Sequence, residues 1–268
     1  MKRLLIASLI TIASHAIFAA PTENKTIKSD VFAKATQLYE AKNYAAAFQE
    51  MQRLANTGNA QAIYNVGSMT QQGLGTAKDE KKALQYFQEA SKKGFGKASF
   101  ELAQMYHHGK SSVGINKDTE KYKILLNTAA KQGSEEAIVE VATLFFAQGK
   151  PEYDQLALQQ LRPLLQKNYY PAIHLKAVYD LGIGVKNKNP VMQRQAEKSF
   201  RSLAAKGYVP SLVVLGNLMA NGNVSTIPQN LPAAKKIFTE LAKQNVPNAK
   251  ESLAQINAAI AAQKTVKK

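Results

Sequence analysis

Asn59-Ala60-Gln61-Ala62-Ile63-Tyr64-Asn65-Val66-Gly67-Ser68-Met69, followed by Gly73-Leu74-Gly75, Asp79, Lys82-Ala83, Tyr86-Phe87, Ala90 and Gly94, is the stretch that decides the fold. Ala62 and Met69 lie seven residues apart, on one face of a helix that Gly73 closes. A glycine turn then leads to Asp79, whose carboxylate suits the free amides of a helix start. Ala83, Phe87 and Ala90 follow at offsets 0, 4 and 7, one apolar stripe of a second helix. Gly94, at offset 11, tolerates the left-handed conformation that ends it. The unit reads helix, turn, helix.

It recurs in both directions. Ala47, Ala83, Tyr122, Ala157, Ala196 and Ala234 form a column at spacings of 36, 39, 35, 39 and 38 residues. In step with it run Met51, Phe87, Leu126, Leu161, Phe200 and Phe238, then Leu54, Ala90, Ala129, Leu164, Leu203 and Leu241, then Gly58, Gly94, Gly133, Asn168, Gly207 and Asn245. First helices open on Ala62, Ala98, Ala137, Ala172, Ser211 and Ala249, each followed after seven residues by Met69, Met105, Leu144, Tyr179, Leu218 or Ile256. Small residues let helices approach and the large ones fill the gap beyond. Gly73, Gly109, Gly149, Gly182 and Gly222 are expected to end first helices; Asp79, Asp118, Asp154 and Asn230 are expected to cap second ones. Pro190 and Pro232 sit near helix starts, where a missing amide costs little. Pro163 falls inside a helix.

A lone helical pair leaves an apolar face open, so neighbouring pairs must stack. The expected fold class is all-α, a right-handed α-solenoid of helix-turn-helix repeats. Five units are expected at 59–95, 96–134, 135–169, 170–208 and 209–246. An opening pair over 30–58 carries Tyr39, Tyr44 and Phe48 on its stripe, and a closing helix over 247–263 presents Leu253, Ile256 and Ile260. Residues 20–29 and the basic tail 264–268 read as polar, mobile ends.

Lys2 and Arg3, the apolar run Leu4 to Ile12, and the small-residue end before Pro21 have the pattern of a signal peptide over 1–19, cleaved after Ala19 or Ala20. The run is too short for a membrane span. A periplasmic or secreted location in a Gram-negative bacterium is expected, and the absence of cysteine excludes disulfides and thiolate chemistry. Basic residues exceed acidic ones by 17 to 6 from Lys150 onward, against 16 to 13 over residues 20–149. The later half therefore favours anionic partners such as envelope glycan.

The segment quoted at the outset resembles the Sel1-like repeat, a relative of the tetratricopeptide repeat, and the resemblance covers roughly residues 59 to 246. Later units keep the frame while their turns drift at Lys110-Ser111-Ser112-Val113-Gly114 and Pro151-Glu152-Tyr153-Asp154. Membership implies an adaptor role in envelope complexes, signalling or host contact. Some cysteine-rich relatives bind penicillin-like ligands, which implies a second alternative, a penicillin-binding or β-lactamase-like relative; this chain lacks the cysteines that tie those repeats together.

No chemical signature competes with that reading. Adjacent His107 and His108 cannot share one ligand face, and His174 stands apart. Glu135 and Glu136 suit a helix start. Gly73-Leu74-Gly75 has no following lysine and hydroxyl, which excludes a phosphate loop. Tyr86, Phe87, Tyr106, Phe145, Phe146, Phe200 and Phe238 recur at core positions. No catalytic, cofactor-binding or metal-binding residue is expected, and no cofactor. In related solenoids first helices line a groove for a protein or peptide, which points to Gln61, Asn65, Ser68, Lys97, Glu101, Gln104, Glu140, Lys176, Val213 and Asn217. Lys186, Lys188, Arg194, Lys198, Arg201, Lys235 and Lys236 form a candidate anionic patch, the alternative being a binder of anionic glycan or peptidoglycan. Export argues against nucleic acid, and stable membrane insertion is not expected.

Overall fold

A computed structural model describes residues 31–222, 224 and 226–266, so the expected leader, the segment 20–29 and the last two residues of the basic tail lie outside the described residues. Among the described residues thirteen α-helices follow in order: α1 Ala33–Glu40, α2 Tyr44–Asn56, α3 Ala60–Gln72, α4 Glu80–Lys92, α5 Gly96–His108, α6 Thr119–Lys131, α7 Glu135–Ala147, α8 Pro151–Gln166, α9 Tyr170–Lys186, α10 Pro190–Ala205, α11 Val209–Asn221, α12 Leu231–Lys243 and α13 Ala249–Val266. The only extended pairings among those residues are two isolated bridges, Lys110 with Ile115 and Val224 with Ile227. The fold class is an all-α solenoid. It divides into two compact units, one up to Ala142 and one from Thr143 onward.

The columns explain the helices. Every second-helix position at offsets 0, 4 and 7, from Ala47, Met51 and Leu54 to Ala234, Phe238 and Leu241, is buried. Each large side chain so covered contributes about 1.5–3 kcal/mol. The offset-11 residues all take positive φ, from +54° at Asn245 to +85° at Gly58, Gly94 and Gly133. That turn lets the next amide return to the offset-7 carbonyl: Phe95 N donates to Ala90 O, Ser134 N to Ala129 O, Tyr169 N to Leu164 O, Tyr208 N to Leu203 O and Val246 N to Leu241 O, all within 3.0 Å. Asp79, Asp118 and Asn230 cap second helices through the amides of Lys82, Lys121 and Ala233.

Within the first unit, a partly buried polar ladder joins neighbouring repeats. Ser99 Oγ donates to Gln132 Oε1 at 2.5 Å and lies 2.6 Å from Ser91 Oγ, while Gln132 Nε2 donates to the Ser91 carbonyl. Gly75 shows why the turn between α3 and α4 needs glycine. Its φ is +74°, and a Cβ there would lie 2.1 Å from the Tyr44 carbonyl oxygen at the start of α2. In the second unit His174 Nδ1 lies 2.9 Å from Ser211 Oγ, linking α9 to α11.

Five local expectations change. Asp154 is not a cap: Pro151 occupies the first turn of α8, Lys150 precedes it, and the Asp154 carboxylate accepts instead from Tyr179 OH at 3.2 Å. Gly182 does not end its helix. α9 runs on to Lys186, where Pro190 bars Asn189 from helical geometry, Lys188 turns to φ +51° and Asn189 N donates to Gly184 O at 2.7 Å. Tyr39 lies 41% exposed, edge-on to Tyr44, and Leu144 lies 40% exposed, so neither joins the core. The last helix continues to Val266, three residues into the segment read as a tail.

Candidate protein-interaction surface

Counting from the small residue that opens each first helix places the candidate residues in register. Offset 3 holds Asn65, Glu101 and Glu140 on α3, α5 and α7, all half-buried, and offset 6 holds Ser68 and Gln104. Gln61 and Lys97, both exposed, precede the small residue by one. Packing of the small residues and of Val66, Leu102 and Val141 against the second helices fixes this outward face.

The face is electrostatically organised. Gln104 Nε2 donates to Glu140 Oε2 at 2.8 Å, bridging one repeat to the next, and Tyr122 OH donates to Glu140 Oε1 at 2.6 Å. Burial, then the hydrogen bond to this carboxylate and its charge, raise the Tyr122 phenol well above its ordinary value. Glu101 is held above the usual carboxylate range by burial, against the opposing pull of Lys110 and Lys97. Tyr64 sits between Phe87 and Phe95, ring centroids 5.4 and 5.2 Å away, with Lys97 Nζ 6.0 Å from its own ring. Burial, reinforced by the charges of Glu101 and Glu136, pushes its phenol up to about 12. Asn65 Nδ2 lies 3.6 Å from Met51 Sδ. Fixed donors, carboxylates and an aromatic edge in one register can hydrogen-bond a peptide and pair its charges.

The same register is different in the second unit. On α9 and α11 offset 3 is Leu175 and Val214, both buried. Lys176, at offset 4, is tied to Asp180 at 2.6 Å, and Val213, at offset 2, packs toward the cluster built on Phe238 and Leu241. At offset 6 Thr143 and Asn217 are polar and half-buried, whereas Val178 is buried. Tyr64 and Tyr122 join the face without having been expected there. The signal in the sequence was Tyr122 itself, which breaks an otherwise all-alanine column because its hydroxyl must reach Glu140.

The remaining candidates are placed as follows. His107 lies 4.4 Å from the Tyr122 ring and 4.6 Å from His108, before Gly109. Ser134 Oγ donates to Glu136 at the start of α7. The basic residues Lys186, Lys188, Arg194, Lys198, Arg201, Lys235 and Lys236 are all exposed, and Arg201 is paired with Glu197 at 2.7 Å. Among the described residues no group of three or more histidine, cysteine or acidic side chains is arranged to hold a metal ion, and no helix is long and apolar enough to cross a membrane.

Stacked helix-turn-helix units with capped second helices and a polar first-helix face define a repeat protein of the α-solenoid class. The Sel1 repeat profile matches residues 60–95 and 96–134. Residues 60–134 thus carry two Sel1 repeats, and the chain is similar to the Sel1-like repeat proteins. Mouse protein sel-1 homolog 2 is 39% identical over 120 residues, 44% of this chain and 16% of that protein. The human protein sel-1 homolog 2 is 36% identical over 99 residues, 37% of this chain and 14% of that protein. The chain thus matches only about a sixth of these relatives' length. The crystal structure of a Sel1 repeat protein from Oxalobacter formigenes superposes with a TM-score of 0.64 at 25% identity, over 85% of this chain and 88% of that one. A protective antigen of uropathogenic Escherichia coli strains displaying the same fold gives 0.63 at 22%, over 85% of this chain and 49% of that one. Sel1 repeat proteins generally mediate protein–protein interaction, and their fold is typically a non-catalytic scaffold.

Proposed function

We propose that this chain is an exported, non-catalytic scaffold whose first unit receives a protein or peptide segment along α3, α5 and the first turns of α7. The carrying observation is the polar register Asn65, Glu101 and Glu140, flanked by Ser68 and Gln104, which persists through three consecutive first helices and gives way to buried Leu175 and Val214 on α9 and α11. Preorganisation supports it: the Gln104–Glu140–Tyr122 hydrogen bonds hold the face in one geometry before any partner arrives. Export rests on the charged, apolar and small-residue pattern of residues 1–19, and the helical pairs α7–α8, α9–α10 and α11–α12 are read as three further repeats of the same family. The location is the periplasm or beyond.

Photo-crosslinking residues placed singly at Gln61, Ser68 and Gln104, with Thr128 on α6 as control, test this in the native cell. Capture of one identified protein from the three first-helix positions and none from Thr128, lost on Glu101→Arg, is the expected result. Equal capture from all four positions, or capture unaffected by E101R, refutes it.

A further inference from the structure

The turn joining α9 to α10 carries a feature that protein docking on the first unit does not use. Six of the seven residues from Val185 to Val191 are exposed, Asn189 being the half-buried exception that caps α10. Two are large apolar side chains turned to solvent, Val185 at 44% and Val191 at 63% exposure, and the exposed Pro190 lies beside the second. Between and after them stand Lys186, Lys188 and Arg194, all exposed.

No acidic residue occurs between Asp180 and Glu197. Those two carboxylates are committed elsewhere, Asp180 to Lys176 at 2.6 Å and Glu197 to Arg201 at 2.7 Å, so they do not neutralise the turn. Cations interleaved with exposed apolar side chains at an exposed turn match one chemistry: a negatively charged surface whose interior is apolar. A sulfated or phosphorylated polymer would satisfy the lysines and leave the valines in water.

We infer that the α9–α10 turn is a reversible contact for an anionic lipid bilayer, with Lys186, Lys188 and Arg194 at headgroup phosphates and Val185 and Val191 dipping below them. No helix among the described residues could span, so the contact is peripheral. Each cation lost should weaken binding about fivefold, and removing both valines about tenfold.

The chain has no tryptophan, so Val191→Trp supplies a single fluorescent reporter at the turn. Full-length V191W is titrated with vesicles of phosphatidylcholine alone and of phosphatidylcholine mixed with phosphatidylglycerol. Emission should shift to the blue only with the anionic vesicles, and Ser202→Trp, exposed toward the other end of α10, should not shift. K186Q/K188Q in the V191W background should raise the vesicle concentration at half-shift about thirtyfold. In cosedimentation, V185S/V191S should lose anionic-vesicle binding about tenfold while retaining a wild-type circular-dichroism melt. A V191W emission signal indifferent to phosphatidylglycerol overturns the inference. So does V185S/V191S binding as tightly as wild type, or an equal blue shift with dextran sulfate, either of which reduces the site to a polyanion contact.

Discussion

Replacing Gly216 by alanine should destabilise the second unit, although alanine is the better helix former. Gly216 lies in α11 opposite Phe238 of α12, and an added Cβ would stand 2.6 Å from Phe238 Cε2 and 3.2 Å from Ile237 Cγ2. Carbon pairs are comfortable at about 3.5–4.0 Å, so something must move. The Phe238 ring cannot swing away freely, because Leu231, Ala234, Leu241 and Ile256 enclose it. Overpacking of this kind costs about 1–3 kcal/mol, and the gain in helix propensity offsets about 1 kcal/mol. A net loss of up to about 2 kcal/mol corresponds to a fall in Tm of up to roughly 8 °C for a chain of this size. Far-UV circular dichroism melts measure it, and the decisive comparison is a double-mutant cycle with Phe238→Leu, which removes the offending ring carbon. In that background G216A should be neutral or stabilising, a coupling of about 1–3 kcal/mol. The first unit repeats the pairing at Gly67, whose Cβ would meet Phe87 Cε1 at 3.0 Å. A G216A protein that melts higher than wild type, by the same margin with Phe or Leu at 238, refutes the reasoning.

His174 is buried against Ser211, Phe200 and Tyr208, and burial pulls its imidazole down to about 4. The unfolded chain takes a proton near pH 6.5 and the native one only near 4, so stability is full above about 6.5 and falls by about 3 kcal/mol as pH drops to about 4. Urea midpoints measured across that window should show the slope, and His174→Gln, which keeps a partner for Ser211, should flatten it; an unchanged slope in H174Q excludes His174 as the cause. At the helix closures, Gly133 has φ +85° with nothing within 4 Å of an added Cβ, so Gly133→Ala should cost about 1–2 kcal/mol through backbone strain alone. Asn168, at φ +55°, should lose stability on replacement by alanine and lose none on replacement by glycine, and equal melts for N168A and N168G would contradict that.

The core was legible because stacking repeats one physical problem several times. Where Ala83, Phe87, Ala90 and Gly94 solve it, Ala196, Phe200, Leu203 and Gly207 must solve it again, and burial and positive φ fall where the columns put them. Helix ends were less legible, since several local signals compete there. Asp154 carries a capping side chain, yet Pro151 three residues earlier already provides a preorganised start. Gly182 offers a stop that the backbone ladder does not need, while Asn187-Lys188-Asn189-Pro190 enforces one further on. The small offset-5 column, Gly67, Ala103, Ala142, Ala177 and Gly216, was present in the sequence too, and its meaning emerges only once Phe87 and Phe238 are seen against it.

The docking face was the least legible part for a reason that also constrains its function. Stacking free energy comes from offsets 0, 4 and 7 of second helices and 0, 5 and 7 of first ones, so in the first unit offsets 3 and 6 are released from it, whereas Leu175, Val178 and Val214 draw them into the core of the second. Nothing in the periodicity then says which polar residue belongs there, and Lys176 and Val213 were drawn in from other registers. Glu140 is the exception, because Tyr122 and Gln104 bind it across a repeat boundary. A residue that serves both stacking and the face cannot drift freely, since its loss would leave the Tyr122 hydroxyl, half enclosed, without an acceptor. The geometry of the face is therefore anchored at Glu140, while Asn65, Ser68 and Glu101 are free to set which partner it accepts.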